Sequence, residues 1–240
     1  MGSVRDLLLK HAGARIAVIG GGPSRIEQAA RLPEGTVCLS ANQHGCLTRP
    51  CEYIVACDNI ETMLRPYGVP IISPHRWADY RMSEHPQLLY TGMHSAWVAW
   101  MLGAREILLV GMDCYADPRG NYAEGVVDPV PDRVRGVDQQ IKYWKKVLAC
   151  IPVPIRAMAG PLVPVFGAFD PAEEFPPYVP TERHVLLAQC AGTKVEILKD
   201  HGRERGNHCF KRGQVLELPR NEAQHLLALR VARLHIEATE

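Results

Sequence analysis

Short apolar runs alternate with helical patterns along the first two-thirds of this chain. Residues 15–19 (RIAVI), 36–41 (TVCLSA), 53–57 (YIVAC), 69–72, 106–110 (EILLV) and 153–158 each read as a strand. Their apolar character is continuous rather than alternating, which predicts strands buried on both faces of a mostly parallel sheet. Residues 24–31 predict a helix after the first run. Met93, Ala96, Trp97, Trp100 and Met101 recur at helical spacing between Gly92 and Gly103, and Val137, Ile141, Trp144 and Leu148 do so within 134–148. Strands alternating with helices make this an α/β, Rossmann-like domain with helices on both faces of its sheet.

The pattern changes over residues 159–180, where Pro161, Pro164, Pro171, Pro176, Pro177 and Pro180 oppose regular structure. This stretch reads as a strap that ends a first domain at residue 180. Beyond it, 194–198 (KVEIL), 208–210 and 214–218 (QVLEL) alternate, with Lys211, Arg212 and Gly213 as a turn and a helical pattern over 221–230. Residues 181–240 therefore predict a small β-rich module, near the lower limit for folding alone.

Composition narrows the function classes. The chain has 240 residues, Lys+Arg 27 against Asp+Glu 26, and a formal charge of +1. That balance excludes a strongly basic nucleic-acid binder. No run reaches the roughly 20 apolar residues of a membrane span. The first residues lack a signal core, so the expectation is a cytoplasmic protein without membrane or nucleic-acid partners. The eight cysteines include no Cys-x-x-Cys pair, and the reading is reduced, buried thiols. His184, Cys190, His201, His208 and Cys209 fit no metal-ligand spacing. Trp97 and Trp100 read as core anchors rather than platforms for a base.

In open α/β sheets, ligands bind beyond the carboxyl ends of the strands, at a switch in strand order. The residues that follow the apolar runs are therefore the candidate site. They are Gly20, Gly21, Gly22, Pro23 and Ser24; Asn42 and Gln43; Asp58 and Asn59; Thr91 and Gly92; and Gly111, Met112, Asp113, Cys114 and Tyr115. Glycines let a phosphate approach the backbone, and a helix start attracts an anion. Ordinary turn chemistry yields a similar string, since turns also favour Gly, Asn and Asp. Two nucleotide motifs are excluded by spacing. A Gly-x-Gly-x-x-Gly fingerprint from Gly20 would need glycine where Arg25 stands, and no Gly-x4-Gly-Lys-Ser/Thr loop exists. Of the arginines flanking strand ends, Arg25 is the one placed for a phosphate contact.

Gly20–Ser24, then Ser40-Ala41-Asn42-Gln43, Ala56-Cys57-Asp58, Thr91-Gly92, Leu102-Gly103-Ala104, Ile107 and Gly111-Met112-Asp113-Cys114-Tyr115 together resemble a related pair of families. These are the bacterial sialyltransferases of glycosyltransferase family 42 and the MptE-like 6-hydroxymethylpterin diphosphokinases. The resemblance covers residues 15–122. It implies a nucleotide or nucleotide-sugar donor, CMP-type or ATP, with its phosphates at Gly20, Gly21, Gly22, Pro23 and Ser24. It also implies donor contacts at Asn42, Thr91 and Gly92. Tyr115 and Tyr122 would donate hydrogen bonds to the departing phosphate, which neutral phenols can do without a metal. Asp58 and Asp113 match acidic positions used for substrate or Mg2+ in the pterin kinases.

Two departures matter. Gly21 stands where the sialyltransferases place asparagine. Their histidine base lies downstream of the tyrosines, yet residues 123–183 contain no histidine. His94, at the start of the helix after Gly92, is the substitute candidate, and a helix-start histidine with a structural hydrogen bond is the alternative. The strap and the C-terminal module also resemble bacteriophage proteins. The leading expectation is a nucleotide-dependent transferase, moving a sugar or a diphosphoryl group. The second is a bacteriophage virion or assembly protein built on the same core, with phage structural partners through 181–240 and a location in host cytoplasm or virion. A nucleotide sensor without turnover is the third, and a homo-oligomer is compatible with each.

Overall fold

The structure is a computed structural model that describes residues 2–82, 88–123, 137–174, 177–182, 184, 193–197, 213, 215–218 and 232–234. The chain divides into two compact units, Met1–Thr181 and Glu182–Glu240.

The first unit is built on an eight-stranded sheet. Its strands are β1 (Gly2–Ser3), β2 (Arg15–Ile19), β3 (Val37–Ala41), β4 (Tyr53–Val55), β5 (Ile71–Ser73), β6 (Tyr80–Arg81), β7 (Glu106–Val110) and β8 (Ile155–Ala157). They lie in the order β1-β6-β5-β4-β3-β2-β7-β8, and every pairing is parallel. From β2 the chain builds outward through β3, β4, β5 and β6, then returns to place β7 and β8 on the other side. The switch in strand order therefore falls between β2 and β7. Register brings their ends level: Ile19 pairs with both Val110 and Ser40.

Burial explains why these runs became strands. Ile16, Ala17, Val18 and Ile19 are all inaccessible to solvent, as are Ile107, Leu108 and Val110. Side chains alternate across a strand, so full burial of consecutive residues requires cover on both faces. Ala17, Ile19, Cys38, Leu108 and Val110 pack with Ala29 of α1 (Arg25–Ala29), a helix of only five residues. The helix α3 (Thr91–Met101) packs against β2, β3, β4 and β7 and is buried from Gly92 to Met101. Trp97 and Trp100 are core residues on it. Between these elements, α2 (Glu61–Leu64) packs Leu64 against Ile54 and Ile71. The amphipathic α4 (Val137–Cys150) turns Trp144 and Val147 inward.

Some expectations shift. The first helix ends sooner than residue 31, with single turns carrying the chain to Pro33. β1 and β6, two residues each, had no apolar run to announce them. The proline-rich strap does contain one helical turn, α5 (Val163–Phe166), because Pro164 sits in its first turn, where no intrahelical N–H is needed. In the second unit, β9 (Thr193–Ile197) pairs antiparallel with β10 (Val215–Leu218) and with β11 (Ala232–Leu234). The expected strand at 208–210, the helix over 221–230, Cys190, His201, His208 and Cys209 lie outside the described residues. No helix among the described residues is long and apolar enough to cross a membrane. Cys38, Cys46, Cys51, Cys57, Cys114 and Cys150 are free thiols.

One ion pair lies inside the sheet. Glu106 is fully buried and bonds Arg15, its neighbour across β2 and β7, while its second oxygen finds no partner. Removing one member of a buried pair costs about 3–5 kcal/mol, because the other stays buried and uncompensated. Arg15→Ala should lose that much in urea unfolding, and adding Glu106→Leu to it should restore most of the loss.

Candidate functional site

The carboxyl ends of the strands open into a cleft of ≈ 710 Å³ at the switch between β2 and β7. Fourteen expected residues line it: Gly20, Gly21, Gly22, Asn42, Gln43, Asp58, Thr91, Gly92, Gly111, Met112, Asp113, Cys114, Tyr115 and Tyr122. Pro23, Ser24, Asn59 and His94 do not. His94 is buried in α3, with Nδ1 3.2 Å from the Tyr90 carbonyl oxygen.

A closed polar network forms the floor. The backbone N–H of Ser24 donates to Asp113 Oδ2 at 3.0 Å, and the Ser24 hydroxyl donates to Asp113 Oδ1. Gln28 Nε2 donates to Ser24 Oγ at 2.6 Å, while Gln28 Oε1 accepts from the Gly111 N–H at 2.8 Å. Gly20 N–H donates to the Val110 carbonyl at 2.8 Å, and Gly22 N–H to the Gly111 carbonyl at 2.9 Å. These bonds join the loop after β2 to the loop after β7.

The glycines are explained by that closure. A Cβ on Gly22 would lie 2.6 Å from Asp113 Cγ and 2.7 Å from the Gly111 oxygen. One on Gly21 would lie 2.6 Å from Tyr122 Cδ1 and 2.9 Å from His44 Cε1. Neighbouring protein atoms thus exclude a side chain at either position. The carboxylate of Asp113 likewise stands at the amide where an anion was expected. Asp113 is thus held by Ser24, and among the described residues no three His, Cys, Asp or Glu side chains gather to hold a metal. Both Asp113 oxygens are taken by Ser24, so this carboxylate is not free to ligate Mg2+.

Above this floor, two tyrosines face each other. Tyr115 and Tyr122 hold their hydroxyls 3.3 Å apart, with ring centroids at 5.9 Å. Tyr122 also stacks on His44 at 5.4 Å with an interplanar angle of 24°. Three residues of the cleft wall carry left-handed backbone without being glycine: Asn42 (φ 52°), Cys114 (φ 52°) and Tyr115 (φ 60°). Such conformations persist only where the surroundings enforce them, and they concentrate at functional sites.

Sequence reasoning missed His44, although it lies two residues beyond Asn42 in a loop already singled out. It also missed Tyr90, just before α3, and Gln140 and Trp144 from α4. Burial first, and the charge of Arg25 second, push the His44 imidazole down to about 4, so it is neutral at physiological pH. Burial pushes the thiols of Cys57 and Cys114 up to about 12, so neither cleft cysteine is a thiolate nucleophile. Among the described lining residues there is no lysine or arginine.

The lowered His44 value has a consequence for stability. An unfolded chain protonates this residue near 6.5, the folded chain only near 4. The contribution is therefore complete above pH 6.5 and is lost as pH falls through 4, amounting to about 3 kcal/mol. His44→Phe, which keeps a ring against Tyr122, should flatten the stability profile by that difference over this window in denaturant titrations.

No protein-family model matches the chain, and no curated protein matches it. Solved structures do. The sialyltransferase CstII from Campylobacter jejuni, in complex with the substrate analogue cytidine-5'-monophosphate, aligns at TM-score 0.47 and 14% identity, covering 72% of this chain and 96% of that one. Its complex with CMP-3FNeuAc aligns at 0.43 and 14%, covering 71% and 97%. Monomeric CstII aligns at 0.43 and 12%, covering 90% and 99%.

Proposed function

We propose that this chain is a nucleotide-dependent transferase of the glycosyltransferase type, with a sugar nucleotide as donor. The observation that carries the reading is the Tyr115–Tyr122 pair. Two phenols meet at the switch point of a parallel sheet, one on left-handed backbone, above a cleft large enough for a nucleotide. Neutral phenols suit a leaving phosphate, because they donate hydrogen bonds to the growing charge and need no metal.

In this reading Thr91, Gly92 and Asn42 contact the nucleotide, and Gly20, Gly21 and Gly22 form the floor beneath it, with Pro23 and Ser24 behind. The acceptor hydroxyl gives its proton to the neutral His44 imidazole as its oxygen bonds to the anomeric carbon. The bond from that carbon to the phosphate oxygen breaks, and the nucleotide leaves against the two phenols. His44 replaces His94 as base because it is the imidazole on the cleft wall. Asp113 is a positioning residue, holding the loop after β2. Asp58, on the rim, is free to meet an acceptor hydroxyl. The diphosphotransferase, MptE-like and bacteriophage virion readings rest on the sequence resemblance alone, and no feature of the cleft favours them.

Calorimetry against CMP, UDP, GDP, ATP and their sugar conjugates tests the proposal, with CMP first because the CstII complexes contain cytidine nucleotides. One nucleotide class should bind, and Gly22→Val should abolish it. Release of nucleotide from the bound sugar donor should fall about 10²- to 10³-fold in Tyr115→Phe and in Tyr122→Phe, with KM little changed. No binding across the panel, or wild-type turnover in the double variant, would rule the proposal out.

A further inference from the structure

Two glycines of the cleft are not explained by backbone conformation. Gly20 and Gly92 lie outside the left-handed region, and Gly92 is the second residue of α3, where alanine would favour the helix. Space explains both. A Cβ on Gly20 would lie 2.7 Å from Met112 Sδ and 3.0 Å from its Cε. A Cβ on Gly92 would lie 2.9 Å from each of the same two atoms. The end of one side chain thus rests against both backbones, between the loop after β2 and the first turn of α3. Trp144 Cζ2 stands beside it, 3.4 Å from the Gly92 position.

Met112, Gly20, Gly92 and Trp144 all line the cleft, and Met112 is only half-buried. This part of the floor therefore presents a sulfur, a methyl group and an indole edge to whatever enters. Gly20 has no N–H to offer there, since its own donates to the Val110 carbonyl. Such a surface suits the face of a flat ring better than a phosphate or a hydroxyl. Thioethers make favourable contacts with aromatic rings and adapt to their outline. The same side chain limits depth, because it takes up the room between the two glycines.

We propose that Met112 is a specificity-determining residue of the cleft, its thioether forming the floor under the donor's base and restricting that base to a single ring. The assignment rests on the transferase reading, which puts the nucleotide at Thr91 and Gly92. Truncation to alanine removes Cγ, Sδ and Cε, a group similar in extent to the second ring of a purine. Apolar pockets discriminate by about 10- to 200-fold for a single methylene, so a change of this size is readily measured.

The test is calorimetry of the full chain with CMP, UMP, AMP and GMP, with thermal unfolding to establish that each variant is folded. Wild type should bind the pyrimidine nucleotides about 10-fold more tightly than the purine ones, or better. Met112→Ala should raise purine affinity about 10-fold or more and weaken pyrimidine binding slightly. Met112→Leu, of similar volume, should keep the wild-type order. Met112→Val, a smaller step, carries the same comparison if Met112→Ala does not fold. Gly92→Ala makes the opposite change, because its methyl group pushes the thioether up into the cleft. CMP and UMP should then bind about 10-fold more weakly, and adding Met112→Ala should restore them. Failure of that restoration overturns the inference. So does a purine-to-pyrimidine ratio that is the same in wild type and Met112→Ala, or a wild type that prefers purines. Each of these results leaves the transferase reading standing, since a nucleotide is bound. Absence of binding in wild type and Met112→Ala alike overturns both.

Discussion

The bonds running from Asp113 through Ser24 and Gln28 to the Gly111 amide hold this molecule's working edge together. They fasten the two loops that leave the central strands at the point where strand order reverses. Parallel sheets supply a crevice there by geometry alone. What the network adds is rigidity, because each buried polar group in it has a partner and none is left to favour another loop conformation. The glycines follow from it, since any side chain at residue 22 would displace Asp113.

A site built this way holds little charge of its own. Asp113 is engaged, His44 is neutral, and the cleft thiols are protonated. Beside the carboxylates of Asp58 and Asp113, the groups facing the cavity are phenols, amides and hydroxyls, which orient a ligand through direction rather than field strength. Specificity at such a place comes from shape and hydrogen-bond geometry, and the left-handed residues Asn42, Cys114 and Tyr115 are the means by which the backbone meets that shape.

Much of the fold was legible because buried parallel strands leave unmistakable apolar runs: β2 and β7 appear residue for residue. The two-residue strands β1 and β6 were not, since neither carries enough side chains to make a pattern. α5 was hidden by a proline that the first turn of a helix tolerates. The cleft was legible wherever it is made of strand ends, which is why Asn42, Asp58 and Asp113 were found. Its partnerships were not. Ser24 and Asp113 lie 89 residues apart, so nothing local reveals that the carboxylate takes the amide an external anion was expected to use. His44 carries no local sequence pattern of its own, and its place on the cleft wall and its stacking on Tyr122 exist only in the fold.

The position of β2 between β3 and β7 also sets an order of events during synthesis. One neighbour of the central strand is made almost at once, the other only after some ninety further residues. Until β7 emerges, Ile16 to Ile19 present one bare hydrogen-bonding edge, and contacts this distant in sequence form slowly. The nascent chain thus passes through a long interval in which half a sheet exists without its closing partner. Cover for this edge during synthesis has to lie along Arg15–Ile19, and the arrival of the segment between Thr91 and Val110 makes it unnecessary.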